Sequence, residues 1–314
     1  VSGDSVYVRL ANSGFESGAS APALDRLLTH ASAPTTSTDW RRDAFGVIAG
    51  AAAVPPVAAA ALLAADETVR GPWVCIATPV HLVAGMSTVT LSQGGVLTLD
   101  ETEAGALAAD FNRVFADSGV RLAVGRAAVL LCVFDRVLCV TTHEPADVAG
   151  GDVFECQPLG ADAPRLRRLM SEMELWLFEH AVNRARAGRG VAAITGLWLW
   201  GGGESLPRLP DVRGFTAGTD PLFAAYGNAT EFPGGAMPRA GVLVCDVEPG
   251  AATWPQFEQR WLEPLSRALA AGELERLTVS VRQRLVRIER RTSWRFWRRA
   301  KPWWQSFGLE VKEA

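Results

Sequence analysis

At 314 residues the chain is long enough for one large α/β domain or for a domain carrying a sizeable insertion. Its 48% apolar and 21% charged residues, with eleven tryptophans, supply a substantial core and exclude general disorder. A net charge of −3 gives no overall attraction to nucleic acid or acidic lipid.

Residues 6–10 form a short apolar strand that leads into the loop Ala11-Asn12-Ser13-Gly14. Pro22 fits the first turn of a helix through Leu24, Leu27 and Leu28. The Ser/Thr-rich stretch 32–38 reads as loop, and two Ala-rich helices follow at about 43–52 and 55–65. Pro55 and Pro56 interrupt the apolar run 47–65, which therefore reads as packed helix and not as a membrane span. With no signal peptide visible, a cytoplasmic, bacterial-type protein is the expectation.

Residues 73–77 are a continuous apolar run between Gly71-Pro72 and Pro79, the pattern of a buried strand. Strands at 89–91 and 96–99 flank Gln93-Gly94-Gly95, a hairpin signal. Residues 101–117 read as a helix with Leu107, Phe111, Val114 and Phe115 on one stripe. Three strands are then expected at 121–124, 128–134 and 137–140. This β-rich run marks 85–160 as a candidate inserted subdomain within a single α/β domain spanning 1–314. The five cysteines, Cys75, Cys132, Cys139, Cys156 and Cys245, show no C-x-x-C spacing and read as reduced, mostly buried thiols. Cys132 and Cys139 are expected to face each other across a hairpin near Asp135.

After a polar linker at 143–160, Asp162 and Pro164 open a long helix. Its apolar stripe is Leu166, Leu169, Met170, Met173, Trp176 and Leu177, and Gly188 and Gly190 end it. A strand at 197–200 leads into the loop Gly201-Gly202-Gly203. Asp220-Pro221 opens a short helix, 241–245 is a buried strand, 254–271 a helix, and 277–281 with 285–288 a hairpin. The segment 290–314 begins with arginines interleaved with Trp294, Phe296 and Trp297.

The densest polar cluster at helical spacing is His180, Asn183 and Arg186, which lie about one turn apart and form a candidate anion or phosphate site. The alternative is that they brace the helix end against the Trp198/Trp200 strand. Gly201, Gly202 and Gly203 offer backbone N–H groups to the same anion, or simply form a tight loop. His81 follows a buried strand, a common site position in α/β sheets, and is otherwise a hydrogen-bonded core residue. Arg291, Arg295, Trp297, Arg298 and Arg299 form a candidate surface for a protein partner, single-stranded nucleic acid or an anionic membrane, or a terminal helix with a solvated arginine face.

The run 170–180, then Asn183-x-x-Arg186, Gly190 and Leu197-Trp198-Leu199-Trp200-Gly201-Gly202-Gly203, resembles bacterial cofactor-independent phosphoglycerate mutase-like proteins, also called the regulatory protein RpfE family. Thr78-Pro79-Val80-His81-Leu82, Asp220-Pro221-Leu222 and Arg295-Phe296-Trp297-Arg298-Arg299 extend that resemblance over about residues 73–300. It implies an alkaline-phosphatase-like α/β fold: a central, mostly parallel sheet flanked by helices, with an inserted β-rich subdomain. It also implies phosphoryl-transfer ancestry with two divalent metals and a Ser or Thr nucleophile.

The chain departs from the family at Thr78, where Asp is usual, at Ile194-Thr195-Gly196 in place of Val-Asn-Ser, and at Trp200-Gly201, where archaeal-type mutases carry Arg-Gly. Its four histidines, His30, His81, His143 and His180, lack the Asp-His and Asp-x-x-x-His spacings such a centre uses. The expectation is a metal-free, cofactor-free binding protein for a small phosphorylated or anionic ligand or a protein partner. An atypical mutase or phosphomonoesterase is the alternative.

Overall fold

The computed structural model describes residues 4–10, 20–50, 52–65, 70–232, 239–245, 247, 251–289 and 301–309. The loop expected at 11–14 and the Arg/Trp surface of Arg291, Arg295, Trp297, Arg298 and Arg299 lie outside them. The chain divides into two compact units, Val1–Val54 with Pro210–Ala314, and Pro55–Leu209. The expected segment 85–160 lies within the second.

The first unit opens on β1 (Ser5–Leu10), buried throughout, and α1 (Pro22–Leu28), which has proline in its first turn. A two-residue strand, β2 (Thr35–Thr36), interrupts the stretch expected as loop. In α2 (Trp40–Ala49), the Asp39 carboxylate accepts the Arg42 N–H and caps the first turn.

The second unit begins with α3 (Val57–Ala64) and β3 (Trp73–Ala84), a strand seven residues longer than its apolar run. Next come β4 (Val89–Val96), α4 (Glu101–Val114), β5 (Val120–Val124) and β6 (Leu130–Phe134). The short α5 (Pro145–Val148) precedes α6 (Ala163–Phe178), α7 (Ala181–Gly188) and β7 (Gly196–Glu204).

The chain returns to the first unit with β8 (Phe215–Ala217), α8 (Pro221–Ala224) and β9 (Ala240–Cys245). α9 (Trp254–Phe257) continues through a π-helical turn into α10 (Glu263–Ala271). The hairpin β10 (Arg276–Val281) and β11 (Arg284–Glu289) and the short α11 (Trp303–Ser306) complete the described chain.

The fold is α/β with one sheet in each unit. The first sheet runs β2-β11-β10-β1-β9-β8 and is mostly parallel: β1 pairs in parallel with β10 and β9, and β9 with β8. Along β1, Val6, Val8 and Leu10 join Leu24, Leu27, Trp254 and Leu265 in one core cluster. Tyr7 and Arg9 have the opposite parity in the strand. Burial pushes the Tyr7 phenol up to about 12, and Arg9 stacks 4.9 Å from the centre of the Trp40 ring.

The second sheet runs β4-β3-β6-β5, with β7 also paired to β3, and all its pairings are antiparallel. Leu107, Phe111, Leu166, Met173 and Leu177 pack with Cys75 and Cys132 in one core cluster. Val74, Ile76, Trp198 and Trp200 belong to another, with Leu62 of α3.

Four local expectations are corrected. The Gln93-Gly94-Gly95 signal marks an irregularity inside β4, where the β3 register shifts between Val80 and Leu82. A Cβ at Gly95 would stand 2.8 Å from the His81 carbonyl oxygen, so glycine serves close approach here and not a turn. Residues 137–140 form no strand; Asp162 instead accepts the Cys139 N–H and pairs with Arg136, and it makes no side-chain cap to α6. Cys132 therefore stands opposite Cys75 on β3, and Cys139 is exposed.

Candidate functional site

The single long helix expected from Leu166 to Gly188 is two helices, broken at Glu179–His180. His180 is extended, with φ −66° and ψ 144°, and its Nδ1 accepts the Val182 N–H at 3.1 Å, so the ring caps α7. Its Nε2 lies 3.5 Å from Asp110 Oδ2. Burial lowers the His180 pKa, and the Asp110 charge opposes that shift only partly.

Asn183 is buried, and its amide is fully engaged with main chain. Nδ2 donates to the Leu177 and Ile194 carbonyls, and Oδ1 accepts the Ile194 N–H, each at 2.8 Å. Arg186 is 3% exposed. It donates to the Ala192 carbonyl at 2.8 Å and to Glu103 Oε2 at 2.8 Å. Glu103 closes the capping box of α4 with Asp100 and also receives Arg189. The Asn-x-x-Arg pattern thus ties α7 to the strand approach at 192–194 and to the start of α4.

His81 approaches the same approach segment, with Nδ1 2.7 Å from the Ala193 carbonyl. Thr78 accepts the Trp200 indole N–H at 2.7 Å, and Trp198 donates to the His143 carbonyl at 2.7 Å.

Gly201, Gly202 and Gly203 were expected in a loop but lie within β7. A Cβ on Gly202 would come within 2.3 Å of the Trp73 ring, and one on Gly203 within 2.4 Å of Pro56. The triplet admits those two bulky side chains against the strand.

Beside this wall lies an open groove of about 850 Å³, bounded by the β3–β4 connection, residues 152–157, one face of α6 and the start of β7. Its apolar lining includes Leu82, Met170 and Trp198, and Met86 and Phe154 at the rim are almost wholly exposed, 107% and 80%. α6 contributes Arg167, Met170, Ser171 and Glu174, an i, i+3, i+4, i+7 stripe.

Glu174 is an exposed residue whose side chain lies against Gly196. A Cβ on Gly196 would lie 3.5 Å from its Cγ and 3.8 Å from its Oε1. Burial raises its pKa, and neither Glu174 nor Arg167 makes a hydrogen bond or ion pair with the described residues. Among the described residues, no group of three or more His, Cys, Asp or Glu side chains is placed to hold a metal ion. No described helix is long and apolar enough to cross a membrane.

Of the sequence-derived candidates, Asn183, Arg186 and His81 converge on the main chain of 192–194, whereas His180 caps α7 and faces Asp110. Sequence reasoning missed Arg167, Ser171 and Glu174. Their signal was available in the charged positions beside the apolar stripe of the same helix, but only the β3–β4 connection shows which of those positions borders a groove.

No family model matches the chain. A stretch of 70 residues is 36% identical to a probable 2,3-bisphosphoglycerate-independent phosphoglycerate mutase of Geobacter sulfurreducens. That match spans 22% of this chain and only 17% of the relative. Among solved structures, the chain is similar to a cofactor-independent phosphoglycerate mutase of Thermoplasma acidophilum at 14% identity and TM-score 0.37, over 91% of this chain and 89% of that one. It is also similar to a Pyrococcus horikoshii protein at 11% identity and TM-score 0.37, over 91% and 87% of the two chains.

Proposed function

We propose that this chain is a phosphoglycerate mutase-like binding protein of the regulatory kind, which works without a two-metal centre. Its ligand surface is the groove between the β3–β4 connection and α6. The observation that carries this reading is a contrast in how side chains are used. Asn183 and Arg186 are occupied by main chain and by Glu103, whereas Glu174 and Arg167 border a formed groove with no hydrogen-bond or ion-pair partner among the described residues. A concave, largely apolar site with a few unengaged polar groups is the usual form of a ligand site. The local 36% identity to a probable phosphoglycerate mutase supports the ancestry in this reading.

The test is elemental analysis of the purified full chain after exposure to Mn²⁺ and Zn²⁺, paired with turnover of 2- and 3-phosphoglycerate and of a phosphomonoester. The expected result is no stoichiometric metal and no turnover. Two divalent ions per chain together with turnover would overturn the proposal.

A further inference from the structure

The groove has a feature that says what kind of molecule fits it. β7 accompanies β3 only as far as the pair Val80 and Gly196. Beyond that point β3 continues to Ala84, held by β4 on its other side. The Leu82 N–H still finds a partner there, the Thr195 hydroxyl at 2.7 Å. In an extended strand alternate residues direct their main-chain groups to the same side, so those of Ala84 share the side of Leu82. The Ala84 N–H and C=O on that side have no partner among the described residues. Leu82 and Ala84 both line the groove. One wall is thus a short stretch of bare strand edge.

The α6 stripe forms another part of the lining. Arg167 and Glu174 are seven residues apart, about 10.5 Å along a helix. An extended chain covers that distance in about three to four residues, and side chains four apart project to the same face. Between and around the two charges lie Met170 and Trp198, with Met86 and Phe154 projecting at the rim. Exposed Met and aromatic side chains around a concave apolar surface are characteristic of protein recognition.

We propose that the groove takes an extended peptide segment of a partner protein. The segment places a Lys or Arg side chain against Glu174, an acidic group against Arg167, and an apolar side chain between them. Its main chain continues the hydrogen bonding of β3 at Ala84. This is strand addition at an exposed edge, in which the backbone supplies affinity and the side-chain pockets supply selection. A cation at Glu174 restores to its carboxylate the stabilisation that burial removes. This inference rests on the reading of the groove as the ligand surface.

The test is fluorescence anisotropy of labelled seven-residue peptides with the full-length protein. One peptide alternates Val and Phe but carries a Lys near one end and a Glu four positions away, so that both charges face the same side; a second replaces Lys by Glu; a third is wholly polar and uncharged. The Lys peptide is expected to bind saturably with a Kd below about 100 μM and the other two at least tenfold more weakly. Glu174→Gln should weaken the Lys peptide about tenfold. Glu174→Lys should reverse the preference in favour of the Glu peptide. Ala84→Pro, which removes one N–H at an exposed edge, should weaken every peptide that binds wild type.

Equal binding of the Lys peptide by wild type and Glu174→Gln, or no saturable binding of it, would overturn the inference. If no peptide binds while 3-phosphoglycerate raises the unfolding temperature of wild type but not of Arg167→Gln, the groove reading stands and the peptide inference falls. If neither ligand acts at these positions, both fall.

Discussion

Two neighbouring stretches of the second unit carry similar polar residues and use them in opposite ways. In α7, Asn183 and Arg186 are buried and engaged by main-chain carbonyls, one N–H and a carboxylate. In α6, Arg167 and Glu174 border a groove with no ion-pair partner among the described residues. Polar density along a helix therefore does not locate a binding surface. What matters is whether folding already satisfies the groups, since a buried polar atom without a partner is costly and a saturated one has little capacity left for a ligand.

This contrast is open to direct attack. The largest effect is expected from Arg186→Ala, which removes the buried partner of Glu103 and the bond to the Ala192 carbonyl, leaving that carboxylate to Arg189 and the Asp100 N–H. The lost charge-assisted bond and main-chain bond together should cost about 3 kcal/mol, readable by urea denaturation. Asn183→Ala removes three main-chain bonds at once and should cost about 3 kcal/mol. A loss below about 0.5 kcal/mol in both would mean that α7 does not hold the wall as described. Gly202→Ala forces a methyl group into the Trp73 ring and should cost about 1–3 kcal/mol.

A smaller, pH-dependent effect is expected at His180. Its folded pKa lies below the ordinary value, so above that ordinary value, near 6.5, both folded and unfolded forms are neutral. As pH falls through about 6.5 the unfolded chain takes up the proton first, and stability declines until the folded pKa is reached. Protonation also removes the Nδ1 acceptor that caps Val182. Asp110 faces the ring and Arg184 acts on it from α7. His180→Asn, which keeps a capping acceptor, should flatten the stability profile as pH falls below about 6.5 relative to wild type. The smallest effect belongs to Glu174→Gln, where unfolding free energy should stay within about 0.5 kcal/mol of wild type.

Much of the fold was legible because local patterns and tertiary structure agree. Pro22 does open α1, Asp220 accepts the Leu222 and Phe223 N–H groups at the start of α8, and the 277–288 hairpin forms. Misreadings arose where one residue type serves two physical ends. Gly94-Gly95 signals a turn and equally permits the close approach of β4 to the His81 carbonyl. The break at His180 carries no Gly or Pro, and a ring nitrogen does the capping. At the site, Asn-x-x-Arg was visible as a pattern, but its partners at 192–194 and Glu103 are tertiary. The groove depends on where the β3–β4 connection sits beside α6, which periodicity does not encode.

The most direct test is a residue-resolved amide spectrum of the isotopically labelled full chain, followed through titration with the Lys-bearing peptide. The account predicts shifts at Ala84, Ser171, Glu174, Thr195 and Gly196, with Asn183 and Arg186 unmoved. Shifts centred on Asn183 and Arg186, with Ala84 and Glu174 unmoved, would contradict it.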